Sequence, residues 1–97
     1  MAPLDVDLVA ADRTVWSGEA SMVSAPASDG EIGILPGHTP VLAVLRSGTV
    51  RITPTSGAVT SVRVDSGFLS VDGDRVTVVV DTAEESAAGT GSAGTTR

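Results

Sequence analysis

From Leu4 to about Asp81 the sequence is a succession of short apolar stretches cut by turn signals, and no helical period of about 3.6 residues takes hold between them. The first stretch shows the pattern most plainly. Leu4, Val6 and Leu8 alternate with Asp5 and Asp7, so one face of an extended segment is apolar and the other wet. Ser17-Gly18, Asp29-Gly30, Ser47-Gly48, Ser56-Gly57 and Asp72-Gly73 punctuate the chain beyond it. Strands are expected near Ala20 to Ser24, Glu31 to Ile34, Thr39 to Leu45, Thr49 to Pro54, Ala58 to Val64, Gly67 to Val71 and Arg75 to Asp81. Asp72-Gly73 is the strongest hairpin signal, because a two-residue turn needs positive φ and Val71 and Val76 flank it. The pattern is all-β: an antiparallel sandwich or flattened barrel of about eight to ten short strands, with no βαβ unit.

A chain of 97 residues holds one small domain. Aromatic residues make up only 2% of it, so the core must be aliphatic and mostly Val. Trp16 and Phe68 are its only large anchors, and both are expected to be at least partly buried. The sandwich domain is assigned to residues 1–81. From residue 82 the composition turns small and polar. Thr82 to Glu85 fits a capping box, so a short helix is expected to start there and to meet Gly89 within two turns. The Gly/Ser/Thr/Ala remainder to residue 97 is read as a disordered tail. Gly89, Gly91 and Gly94 spell a dinucleotide fingerprint in letters only, since no strand leads into them and no helix has room to follow.

Charge and missing residue types exclude most chemistry. Twelve acidic side chains against six basic ones leave a net charge of −6, which argues against nucleic acid and anionic surfaces as partners. Cys, Lys, Asn, Gln and Tyr are absent, which removes thiol nucleophiles, Schiff bases and a phosphate-loop lysine. His38 is the sole His, so no His-based metal motif exists and a catalytic triad has no recognisable nucleophile elbow. A structural or interface hydrogen bond suits it better. Asp5 and Asp7 share a wet strand face, where solvation outweighs a paired-carboxylate site. Asp72-Gly73-Asp74 opens like a calcium loop but lacks the later Glu, and a turn explains it. No enzyme, cofactor, metal or small-molecule substrate is expected. No apolar run approaches the roughly 20 residues of a membrane span, and MAPLDVDLV has neither the basic start nor the apolar stretch of a signal peptide. A soluble, unexported chain without direct membrane insertion is expected.

The most informative stretch is Asp29 to Leu42, DGEIGILPGHTPVL. Pro36 and Pro40 stiffen it, and Ile32, Ile34 and Leu35 stand next to Glu31 and His38, which makes a preorganised, partly apolar docking loop. This stretch, the L-x-x-G of Leu45 to Gly48, Gly67-Phe68-Leu69 and the late VTVVVDTAEE together resemble the epsilon subunit of rotary ATP synthase, called delta in mitochondria. Val6 to Ala10 and Val15-Trp16-Ser17-Gly18-Glu19 fit as well, so the resemblance covers about residues 4 to 85.

The resemblance implies a flattened β-sandwich of two sheets in a non-catalytic central-stalk subunit of an F-type enzyme. Its partners would be the gamma subunit and the c-ring, and its role would be to couple that rotor to the gamma shaft at the cytoplasmic side of the cell membrane. Carried over by position, Asp29, Glu31, Ile32 and Gly33 match the loop that faces the c-ring, and His38, Pro40, Val41 and Leu42 match the part near gamma. Ile32, Ile34 and Leu35 would support the loop from inside. Ser66 stands where the family usually has the first Gly of Gly-Gly-Phe, a minor change. Family members normally continue past the AEE into a helical hairpin that can inhibit ATP hydrolysis; this sequence does not include it, which leaves any inhibitory role open. The rival class is a freestanding sandwich that binds carbohydrate or protein, which the shortage of aromatic stacking platforms disfavours.

Overall fold

The computed structural model describes residues 3–86. Nine strands form among them: β1 (Leu4–Ala10), β2 (Arg13–Ala27), β3 (Gly30–Ile34), β4 (Val41–Leu45), β5 (Gly48–Pro54), β6 (Thr60–Val64), β7 (Gly67–Asp72), β8 (Arg75–Val80) and β9 (Ala83–Ser86). Period-two patterning decides which face each presents. In β1, Leu4, Val6 and Leu8 are wholly buried while Asp5 is exposed, and in β8 Val76, Val78 and Val80 point inward. The core is aliphatic as expected, with Leu69, Ile34, Ile52 and Val50 among its fully buried members. Burying each such side chain stabilises the fold by about 1.5–3 kcal/mol before entropy is counted.

The ladder runs β1-β8-β7-β4-β2-β5-β6-β9, with β3 added on β2 and a further β1–β2 pairing. The 15-residue β2 belongs to both layers. Its first half pairs with β1 from Ala10↔Arg13 to Leu4↔Ala20, and its second half pairs with β3 and β5. One layer is therefore β1, β8, β7 and β4, and the other is β3, β5, β6 and β9. The Asp72-Gly73 hairpin forms as expected, with Gly73 at φ 61° and Asp72 paired to Arg75.

Three expectations are corrected. The sheet is not wholly antiparallel, because β1 and β8 run parallel from Asp5↔Arg75 to Ala10↔Val80. Parallel neighbours need a long connection, and two strands so far apart in the chain have one. Residues 83–86 form β9 instead of opening a helix. A two-turn helix is marginal alone, whereas the edge of β6 offers backbone partners and sets Arg63 opposite Glu84. The sandwich thus extends past residue 81, and the expected tail, 87–97, lies outside the described residues. Phe68 is 44% exposed, although its size suggests a core anchor. Alternation gives the interior to Leu69 and Val71, and Phe68 takes the outer face. Trp16 does pack against the core.

Candidate docking surface

Strands β3 and β4 place most of the sequence-derived site residues round one groove of about 600 Å³. Asp29, Glu31 and Ile32 line one side, and Val41 and Leu42 the other, so residues assigned to two partners share a wall-to-wall surface. Alternation in β3 turns Glu31 and Gly33 outward and Ile32 and Ile34 inward. Ile32 packs against the core and Ile34 is fully buried, so both support the strand from within. Leu35 does not, being 56% exposed just after β3. Glu31 reaches Arg51 only at 3.8 Å, with both side chains more than half open to solvent, so its carboxylate remains available to a partner. Gly33, His38 and Pro40 are not part of the groove wall.

His38 sits in the turn that joins β3 to β4. Its amide donates to the Leu35 carbonyl at 3.1 Å, and its Nδ1–H donates to the Thr39 carbonyl at 2.7 Å. That bond fixes the proton on Nδ1 and leaves Nε2 as an acceptor in the neutral ring. The histidine thus makes the structural hydrogen bond its isolation in the sequence suggested.

Sequence reasoning missed the outer face of the first layer. Val44 of β4 pairs with Phe68 of β7, Phe68 with Val79 of β8, and Val79 with Val9 of β1. Four apolar side chains so form a row across four strands, about 14 Å wide at the usual strand spacing. Val44 is 63% exposed, and Leu42, two residues along on the same face, is 71% exposed. The signal was present in VLAVL, which is apolar at every position and therefore on both faces of β4.

The remaining candidates resolve into structural roles. Arg75 contacts Asp5 at 3.3 Å and Asp7 at 3.2 Å, and the Ser17 hydroxyl donates to Asp7 at 2.8 Å. These carboxylates tie β1 to β8 and β2. Among the described residues, no three His, Asp or Glu side chains gather as a metal site. No helix of the described residues is long and apolar enough to cross a membrane.

An acidic-rimmed groove continuous with a partly exposed apolar row is the class of surface that another macromolecule can cover. Comparison with known proteins gives the chain a family. The profile of "ATP synthase, Delta/Epsilon chain, beta-sandwich domain" matches residues 3–86. The ATP synthase epsilon chain of Micrococcus luteus is 51% identical over 83 residues, covering 86% of this chain and 91% of that one. The Streptomyces griseus epsilon chain is 47% identical over 83 residues, 86% of this chain and 67% of its own. The chain belongs to the ATP synthase delta/epsilon family. It is a non-catalytic subunit of ATP synthase.

Solved structures agree on the fold. A chain in the Euglena gracilis mitochondrial ATP synthase (OSCP/F1/c-ring) superposes with a TM-score of 0.80 at 20% identity, over 88% of this chain and 54% of that one. A chain of the Tetrahymena thermophila mitochondrial ATP synthase central stalk and c-ring gives 0.74 at 17% identity, over 84% and 66%. The sequence therefore spans about half and two thirds of those two chains.

Proposed function

We propose that this chain is a central-stalk subunit of an F-type ATP synthase and couples its c-ring to the gamma shaft. Family membership across residues 3–86 is the observation that carries the reading, and it displaces the freestanding binding module. The geometry supports a division of labour. Glu31, with Asp29 and Gly33, faces the polar loops of the c-ring, with Ile32 lining the groove beneath them, and an outward carboxylate between two glycines can pair with basic side chains there. The gamma subunit takes the apolar side: Val41 and Leu42 with His38 and Pro40, extended by Val44 and Phe68 along the exposed row. Apolar area of this kind contributes about 25 cal/mol per Å² when a partner covers it. The chain sits peripherally on the cytoplasmic side of the cell membrane, bound through these partners.

The test is recovery of the assembled enzyme from membranes with this chain tagged. Co-purification of gamma and c-ring in fixed proportion is the expected result. A tagged chain that leaves both behind overturns the reading.

A further inference from the structure

Asp74 joins three segments that are distant in sequence. It lies in the hairpin between β7 and β8, and its carbonyl accepts the Asp5 amide at 2.8 Å, the bond with which β1 begins beside β8. Its side chain points elsewhere. Asp74 Oδ1 accepts the backbone N–H of Gly37 at 2.8 Å, across 37 residues of sequence. Gly37 stands at φ 88° at the apex of the turn between β3 and β4. The other side-chain hydrogen bond in that turn, from His38 to Thr39, stays inside it. Among the described residues, Asp74 is thus the one side chain that hydrogen-bonds the turn from elsewhere in the fold.

We propose that Asp74 is a positioning residue for docking: it holds the Leu35 to Pro40 turn, and with it His38, in the conformation the partner meets. The inference rests on the docking reading above. A carboxylate accepting from a backbone amide makes a charge-assisted bond, short and directional, and here it spans the gap between hairpin and turn. Pro36 and the main-chain bond from His38 to Leu35 set the turn's own shape but leave it free to pivot as a unit against the sandwich. The tether removes that pivot before binding, so the ordering cost does not fall on association. The main-chain bond from Asp5 to the Asp74 carbonyl does not depend on the side chain, so the tether can be cut with the β1–β8 ladder intact.

The experiment uses the full chain with Asp74→Ala and Asp74→Asn. Amide hydrogen exchange of Gly37 reads the tether, with Ile52 as a core reference. Rebinding to membranes stripped of this subunit reads docking. Asp74→Ala should speed Gly37 exchange at least tenfold at constant Ile52 protection and weaken rebinding by about fivefold, the equilibrium equivalent of one net hydrogen bond. Asp74→Asn, which keeps the acceptor, should restore most of both. Unchanged Gly37 exchange in Asp74→Ala overturns the tether. Faster exchange with wild-type rebinding overturns its role in docking. If the wild-type chain itself fails to rebind, the docking reading falls while the exchange rates still decide the tether.

Discussion

Val44 and Phe68 stand opposite each other in the β4–β7 ladder, and both face away from the core, with 63% and 44% of their surfaces open. Two large apolar side chains in register on a solvent face contribute little to folding and much to a covered interface. Phe68→Ser should therefore cost under about 2 kcal/mol by urea denaturation, against the 3–5 kcal/mol or so of a buried ring. The same variant, and Val44→Asp, should sharply reduce incorporation into the enzyme. A stability loss in the buried range with normal incorporation would place Phe68 in the core after all.

Gly67 begins β7 where the backbone of β8 passes closest. A Cβ there would fall onto the Val79 carbonyl oxygen and lie 2.7 Å from the Val80 Cα. Backbone cannot step aside as a flexible side chain can, so Gly67→Ala must separate the two strands. The expected cost is about 1–3 kcal/mol, the range for overpacking. Gly57→Ala is the control, since nothing lies within 4 Å of its added methyl, and it should change stability by about 0.5 kcal/mol or less. Equal melting temperatures for the two variants would contradict the close approach.

What was legible in the chain was whatever local pattern controls. Leu4, Val6 and Leu8 announced a one-sided strand, and Asp72-Gly73 announced its hairpin, because both depend on neighbours within a few residues. The parallel β1–β8 pairing depends on which strand fills the far side of β1, and no local pattern encodes that. The first half of β2, from Arg13 to Glu19, was legible only in part, since Thr14 and Ser17 are exposed and Val15 and Trp16 half-buried, which is no clean alternation. Thr82 to Glu85 fitted a helix start, yet the edge of β6 outcompeted it by supplying ready backbone partners. For the site, the Asp29 to Leu42 stretch stood out by composition, and the structure gathers Glu31 and Leu42 at one groove. Phe68, Val44 and Asp74 could not be found the same way, since each matters through a residue on another strand or loop.

The Arg75 cluster offers an electrostatic prediction. Arg75 is 61% exposed and bridges Asp5 and Asp7, which are 58% and 34% exposed, so solvent screens both pairs. Arg75→Ala should destabilise by no more than about 1 kcal/mol at low salt. The difference should shrink further at 1 M salt, where the screening length is about 3 Å. Thermal melts of both proteins across a salt series check this, and a salt-independent loss would mean that the Arg75 stem acts through packing instead.

Glu31 and Leu42 line the same groove, and their substitutions separate its charge from its apolar wall. A rim ion pair is worth only about 0–1 kcal/mol, so Glu31→Gln should lower ATP-driven proton pumping modestly. Glu31→Arg sets like charge against a basic partner and should lower it more. Leu42→Asp leaves folding intact, because Leu42 is 71% exposed, but strands a charge under the partner and should block assembly. Gly33→Ala tests the fold alone, since its methyl would meet only Met22 Cε at 3.6 Å, an ordinary contact. Gly33→Trp adds bulk to the outward face and should block docking while the isolated domain stays folded. Pumping assays on membranes carrying each variant decide the matter: wild-type assembly and pumping in both Glu31→Arg and Leu42→Asp would mean that the groove between β3 and β4 is not the rotor interface.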